Sequence, residues 1–234
     1  MILKDKIALV TGGSSGIGKA IAEALQDTGC QVIITYNTHK TNNPKFTEFP
    51  VDLREPNSIR TLFESISKQF SKLDILVNSA GVNTMGDPFD MNVWRDVFQV
   101  DLFSLVDITG HAVNLMKSGG KIINISSIYS YGKVAYKQLS AYSAAKAALN
   151  NYTETLAKNL APKINVNAIA PGYVKTPMWG ERTDEDFDRN GKEQLIERMI
   201  DPTEIASMAL ELARNDALTG EIIIIDGGLS LKTV

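Results

Sequence analysis

Tyr142 and Lys146 stand four residues apart in the run Tyr142-Ser143-Ala144-Ala145-Lys146, a spacing that puts a phenol and an ammonium on one face of a helix. A tyrosine hydroxyl titrates near pH ~10, and a fixed positive charge beside it favours the phenolate, so the pair suits proton transfer at a substrate oxygen. The spacing alone is also that of any amphipathic helix with a part-buried tyrosine and an exposed lysine. Its meaning depends on what else the chain brings with it.

A second constellation lies near the start. Lys6-Ile7-Ala8-Leu9-Val10 runs straight into Thr11-Gly12-Gly13-Ser14-Ser15-Gly16-Ile17-Gly18-Lys19. The apolar run predicts a buried strand, and Ile17, Ile21, Ala24 and Leu25 then repeat at helical spacing, so the glycines fall at a strand-to-helix turn. Gly12, Gly16 and Gly18 leave no Cβ where a pyrophosphate must approach the backbone. The N–H groups of the helix start, with the positive end of the helix dipole, attract the anion. The pattern is Gly-x-x-x-Gly-x-Gly rather than the Gly-x-Gly-x-x-Gly of the usual dinucleotide turn. A turn serving only tight strand–helix packing has the same look, so the rest of the chain must decide.

The elements able to position these groups follow at a regular rhythm. Residues 31–36 and 46–51 read as the second and third strands, joined by a polar stretch, 37–45, that is too short for a full crossover helix and predicts one turn of helix or an extended loop. Ile59, Leu62, Phe63, Ile66 and Phe70 mark a helix before a strand at 74–78. Phe98, Leu102, Leu105, Ile108, Ala112 and Leu115 predict a long helix over about 92–116, stopped by Gly119-Gly120 before a strand at 121–125. A second long helix is predicted over 141–160, then a strand at 165–170, a helix opened by Asp201-Pro202-Thr203-Glu204, and a last strand at 222–225. Alternation of this kind predicts an α/β fold: a doubly wound, Rossmann-like, seven-stranded parallel sheet with helices on both faces. Ligands bind such sheets at the carboxyl ends of the strands, and each unusual loop here follows a strand.

The 234 residues, 44% hydrophobic and 22% charged, fit one dinucleotide-binding and catalytic domain over 1–234, with no linker composition to divide it. A net charge of −3 argues against nucleic acid as a partner. No apolar run has membrane-spanning length, and the first strand starts too close to Met1 for a signal peptide, so the cytoplasm is the predicted location and no membrane partner is expected. The one cysteine, Cys30, excludes an internal disulfide and reads as a small buried packing residue. His39 and His111 lack metal-site spacing, and no metal is assigned.

Taken together the motifs resemble the short-chain dehydrogenase/reductases over nearly the whole chain. The matching runs are Thr11-Gly12-x-x-x-Gly16-Ile17-Gly18, Asp52, Asn78-Ser79-Ala80-Gly81, Asn124-Ile125-Ser126-Ser127, Tyr142-x-x-x-Lys146, Pro171-Gly172-Tyr173-Val174-Lys175-Thr176 and Asp226-Gly227-Gly228. The resemblance implies reversible hydride transfer between a carbonyl and a secondary alcohol. It makes Tyr142 the general acid/base and gives Lys146 both the nicotinamide ribose and the phenol's acidity. Ser127 is the hydroxyl expected to bond the substrate oxygen, with Ser126 as its alternative. Gly12, Ser15, Gly16, Ile17 and Gly18 would cradle the pyrophosphate, Asp52 and Leu53 the adenine, and Asn78, Ala80 and Gly81 the adenosine ribose. Pro171, Gly172, Val174 and Thr176 would lie at the nicotinamide, the last two at its carboxamide. Tyr129, Tyr131 and Tyr136 are expected to line the pocket, under a lid over about 178–200.

Two departures stand out. Ser79 replaces the second asparagine of the strand-four motif, and Asp101 stands where the family usually carries an asparagine that holds a relay water near the lysine. Asp101 is therefore a candidate for the proton relay, either facing Lys146 or turned away from it. Where an NAD site wants an acid, the chain has Tyr36-Asn37-Thr38 with His39 and Lys40 following, so NADP(H) is slightly favoured over NAD(H), with Asn37 at the ribose. Within the family the chain looks most like the bacterial 3-oxoacyl-thioester reductases acting on an acyl carrier protein. A sugar, polyol or other small secondary alcohol is the alternative substrate, and a non-catalytic dinucleotide-binding regulator the alternative of another class. A homo-oligomer, tetramer or dimer, is expected from the two long helices.

Overall fold

The computed structural model describes residues 1–232. Seven parallel strands form one sheet in the order β3-β2-β1-β4-β5-β6-β7: β1 (Ile7–Thr11), β2 (Gln31–Tyr36), β3 (Phe46–Pro50), β4 (Leu73–Asn78), β5 (Met116–Ile125), β6 (Ile164–Pro171) and β7 (Ile222–Ile225). β1 is buried over its whole length because both faces of the sheet are covered. The order reverses between β1 and β4, the place where doubly wound sheets open a crevice. Register aligns Thr11 with Asn78 and Asn78 with Asn124, so the three strand ends stop level at that crevice.

Helix α1 (Gly16–Asp27) packs with α7 (Pro202–Arg214) on one face, where Ile21, Leu25, Ile205 and Leu212 are fully buried against β1 and β4. Each such side chain contributes about 1.5–3 kcal/mol. The predicted start of α7 is observed in full: Asp201 caps the helix, Pro202 occupies its first turn, and Glu204 bonds back to the cap. The other face carries α2 (Pro56–Gln69), α3 (Met91–Phe98), α4 (Ser104–Leu115) and α5 (Ser140–Leu160). No helix among the described residues is long and apolar enough to cross a membrane.

Several predicted boundaries shift, each for a local reason. The 37–45 connection holds no helix. It is an extended loop pinned by Glu48, whose carboxylate accepts from Thr41 N at 2.9 Å and Thr41 Oγ1 at 2.5 Å. β3 ends at Pro50 and β4 begins at Leu73. β5 begins at Met116, not at 121, because Met116 already pairs with Leu73; the strand runs on through the glycine pair, with Gly119 at φ +91° where the register shifts. β6 likewise runs from Ile164 to Pro171. The long helix over 92–116 is interrupted by a π-helical turn, Gln99–Phe103, between α3 and α4. Such turns widen the helix by one residue and mark functional positions. Here the turn carries Asp101 inward to complete burial. The segment over 178–200 holds one short helix, α6 (Asp184–Gly191), capped reciprocally by Thr183 and Asp186.

Candidate active site

The glycine turn closes one wall of a cleft of about 1080 Å³ that runs along the carboxyl ends of β1, β4, β5 and β6, at or above the usual range of about 300–1,000 Å³ for ligand pockets. Gly12 adopts φ +63° and sits so near the β4 loop that a Cβ there would meet Ala80 Cα at 2.9 Å. A Cβ on Gly18 would strike the Gly12 carbonyl, so α1 can abut the turn only with glycine at that position. Thr11 Oγ1 accepts from Ser79 N at 3.0 Å and Ala80 N at 3.1 Å, tying the two loops together. Gly12 N donates to Thr35 Oγ1 at 3.2 Å, which adds β2. At the start of α1 the cap residue Ser15 makes no side-chain cap. The first-turn N–H groups are therefore left to an anion in the cleft.

At the other end, α5 carries Tyr142 and Lys146 inward, both almost fully buried. Lys146 Nζ donates to Ile125 O at 3.1 Å, pairs with Asp101 Oδ1 at 3.2 Å and lies 5.5 Å from the centre of the Tyr142 ring. Val82 N donates to both Asp101 oxygens, at 3.2 and 3.3 Å. Gly81 leaves room for this arrangement, since a Cβ there would collide with Asp101 Oδ1. Asp101 thus faces Lys146. Burial pushes the Asp101 carboxyl up from the ordinary carboxylate range, and Lys146 with the Val82 N–H draws it partly back. Burial works against the charge on Lys146, but Asp101 and Tyr142 outweigh it and hold the ammonium above its usual value. Tyr142 is pushed up by burial, drawn down by Lys146, raised by Asp101 and lowered by a hydrogen bond with Ser127; the net direction is upward.

Between the two serines the geometry discriminates. Ser126 Oγ donates to Asn150 Oδ1 at 2.5 Å and lies 3.4 Å from Lys146 O, so its hydroxyl is committed to α5. Ser127 caps a single 3-10 turn, Ile128–Ser130, accepting from Tyr129 N at 3.1 Å, and its hydroxyl keeps its proton for the cleft beside Tyr142.

The structure gathers Gly12, Ser15, Gly16, Ile17, Gly18, Asn37, Leu53, Ala80, Gly81, Asp101, Ser127, Tyr142, Lys146, Pro171, Gly172, Val174 and Thr176 around one cleft. Three expected residues, Tyr131, Asp52 and Asn78, lie outside it, while Tyr129 and Tyr136 line it as expected. Asp52 turns its carboxylate onto its own loop, accepting from Arg54 N at 2.9 Å. Asn78 is buried below the crevice, donating to Thr109 Oγ1 at 3.2 Å and Asn124 Oδ1 at 2.9 Å. Its task is to hold β4 to β5 and α4, and its Oδ1 has no partner among the described residues. Arg54 and Thr35 line the adenosine end, Tyr173 and Glu193 the other; none is among the expected site residues, though Tyr173 stands in the motif run 171–176 and Glu193 within the lid expected over 178–200. Arg54 and Tyr173 adjoin residues that the motifs did single out, Leu53 and Gly172, so position in the motif was the available signal.

The comparisons with known proteins agree with this geometry. The family model described as enoyl-(acyl carrier protein) reductase matches residues 12–230. A 3-oxoacyl-[acyl-carrier-protein] reductase of Vibrio cholerae is 33% identical over 98% of this chain and 99% of its own length. The chain is a short-chain dehydrogenase/reductase. An NAD-dependent glycerol dehydrogenase of Listeria innocua is 35% identical over 98% of this chain and 96% of the relative. Among solved structures, the ligand-free aldohexose dehydrogenase of Thermoplasma acidophilum superposes with a TM-score of 0.91 at 30% identity, covering 99% of this chain and 96% of that one. As a short-chain dehydrogenase/reductase the protein is an NAD(P)-dependent oxidoreductase acting between carbonyl and alcohol, and the cradle of Gly12, Gly16 and Gly18 fits a dinucleotide.

Proposed function

We propose that this reductase reduces a small ketone, or oxidises the matching secondary alcohol, with Tyr142, Ser127 and Lys146 as its catalytic residues. The observation that carries the proposal is that all three open into the same cleft as the glycine cradle. A bound nicotinamide supplies the hydride. On reduction the Tyr142 phenol gives its proton to the carbonyl oxygen, while Ser127 donates a hydrogen bond to that oxygen as negative charge builds on it. The Lys146 ammonium, anchored by Ile125 O and Asp101 at 3.1 and 3.2 Å, stabilises the phenolate left behind. Asp101 acts through Lys146, as a positioning residue. The whole catalytic apparatus belongs to one domain on this reading.

We assign the cofactor as NADP(H) in preference to NAD(H). Asn37, Thr38, His39 and Arg54 line the adenosine end, and the carboxylates lining the cleft among the described residues, Asp101 and Glu193, sit at the opposite end. No carboxylate among the described residues lines that end, although Arg54 there is paired with Asp96 at 2.7 and 3.1 Å. Two substrate readings come with the relatives, a 3-oxoacyl thioester and a small polyol or sugar. A homo-oligomer completes the proposal, supported by the exposed apolar side chains Met91, Phe103 and Val106 on α3, the π-helical turn and α4, and the cytoplasm is its proposed location.

The deciding experiment is cofactor turnover by the purified protein against a panel of ketones and alcohols, with calorimetry of NADPH and NADH. Turnover lost in Tyr142→Phe, with NADPH bound more tightly than NADH, is the expected result. A protein that binds the nucleotide but turns over no substrate is a regulator, and the proposal is then wrong.

A further inference from the structure

Beyond Tyr142 the cleft holds a second polar row that the reaction does not use. Tyr129 Oη lies 3.1 Å from Tyr173 Oη, which lies 3.1 Å from Glu193 Oε2. Its polarity follows from the groups themselves. A carboxylate only accepts, so Tyr173 must donate to Glu193. Tyr173 has one proton, so it can only accept from Tyr129, and Tyr129 donates. What the row then turns to the cleft is lone pairs, with no free donor.

One end of the row is fixed to the catalytic machinery and its middle to the buried Gln194. Tyr129 follows Ser127 by two residues; its N–H donates to Ser127 Oγ at 3.1 Å and its carbonyl accepts from Ser143 Oγ, next to Tyr142, at 2.5 Å. Tyr173 N donates to Oε1 of the fully buried Gln194 at 3.0 Å, and Gln194 Nε2 donates back to Tyr173 O at 3.3 Å. Aromatic edges hold the rings in place, Tyr173 against Tyr129 at 6.2 Å and against Trp179 at 5.3 Å between ring centres. Three polar groups held this way, opening on the cleft that contains Tyr142, form a ready site for a hydrogen-bond donor.

Resting on the oxidoreductase reading above, we propose that Tyr129, Tyr173 and Glu193 form a hydroxyl-recognition subsite. The substrate is then a small neutral carbonyl compound or alcohol with a further hydroxyl, an α-hydroxy ketone or a polyol, rather than an acyl thioester. A substrate hydroxyl donates to the row. The carbonyl oxygens of an acyl thioester bring only acceptors against acceptors, a mismatch that costs affinity.

The test uses the full chain with NADPH and with NADH, and three substrates: hydroxyacetone, its methyl ether methoxyacetone, and the N-acetylcysteamine thioester of acetoacetate. The expected wild-type result is a kcat/KM for hydroxyacetone at least about tenfold above that for the ether, because a site built to bond a hydroxyl rejects the analogue lacking it. Tyr173→Phe should bring that ratio near one. Glu193 is exposed, so Glu193→Gln keeps the fold; its amide can donate to Tyr173, reverse the row and narrow the ratio. Equal kcat/KM for hydroxyacetone and its ether, an unchanged ratio in Glu193→Gln, or preference for the thioester overturns the subsite and leaves the oxidoreductase standing. Turnover of none of the three, in a protein that turns over another ketone or alcohol of the panel, overturns the subsite alone; turnover of nothing in the panel with either cofactor overturns both.

Discussion

The two ends of the cleft are made of different material. At the phosphate end the working groups are backbone: glycines that admit close approach, the free N–H groups at the start of α1, and Thr11 and Thr35 bracing the loops. At the reacting end they are side chains, with Asp101, Lys146 and Tyr142 buried together and coupled in charge. A site made of backbone is damaged by adding atoms. A site made of side chains is damaged by removing or neutralising them, and the two kinds of damage should separate in the kinetics.

The largest effect should come from Tyr142→Phe, which removes the transferable proton and little of the nucleotide contact. General acid/base catalysis contributes about 10²–10⁴-fold. A fall in kcat of that order, with NADPH affinity within a few-fold of wild type by calorimetry, is the expected outcome; wild-type turnover would break the comparison outright. The converse change is Gly18→Ala. Its Cβ would meet backbone, with Gly12 C at 2.9 Å as well as the Gly12 carbonyl oxygen, so the turn has to move. Nucleotide affinity should fall by about tenfold or more, since about 1.4 kcal/mol of lost binding is a factor of ten, while kcat at saturating nucleotide falls less. Equal losses in kcat and affinity in both variants would mean that the two ends are not separable.

Lys146→Ala tests the join between them. It removes the charge beside Tyr142 and leaves Asp101 buried without its counter-ion, a change that costs about 3–5 kcal/mol in other proteins. Thermal unfolding should show a clear loss, and turnover and nucleotide affinity should fall together. Lys146→Arg should recover stability ahead of activity, because a guanidinium can pair with Asp101 but cannot match the placing of the ammonium.

The same division explains what could be seen in the chain beforehand. The phosphate end was legible because backbone sites need glycine, and glycine spacing after an apolar strand is a local signal. Tyr142 and Lys146 were legible for a similar reason, being one helical turn apart. The Tyr129, Tyr173 and Glu193 row was not, since its members are 44 and 20 residues apart and meet only through the fold. Asp52 and Asn78 illustrate the opposite failure. Each stands in the right motif, but a carboxylate two residues before an N–H prefers its own turn. Buried Asn78 in turn serves the strands that flank the crevice. The seven strands and both long helical stretches followed from periodicity, whereas their order in the sheet comes from the fold. The π-helical turn at Gln99–Phe103 did not, because apolar spacing carries through it nearly unbroken.

The finest test of the reacting end is Asp101→Asn, where only a charge changes. Asp101 has two opposed effects on Tyr142. Directly, its negative charge raises the phenol. Indirectly, it holds Lys146 in the charged form, and the charged lysine lowers the phenol. The sign for Lys146 is set by its raised folded-state value. Its stabilising contribution is fully present below the ordinary lysine value and is lost only as pH rises through the raised one, so the ammonium persists across the range in which alcohol oxidation is measured. In Asp101→Asn burial works against that ammonium without the carboxylate that mainly supports it; where the ammonium survives, loss of the carboxylate charge leaves the direct effect as the larger one. The alkaline limb of the oxidation rate should therefore move to lower pH in Asp101→Asn, by about one unit or less, one unit being about 1.4 kcal/mol. The maximal rate should be unchanged. The pH profiles of wild type and Asp101→Asn, measured side by side, decide the matter: coincident limbs would remove Asp101 from the proton chemistry. A limb displaced to higher pH would show that Asp101 acts mainly by keeping Lys146 charged.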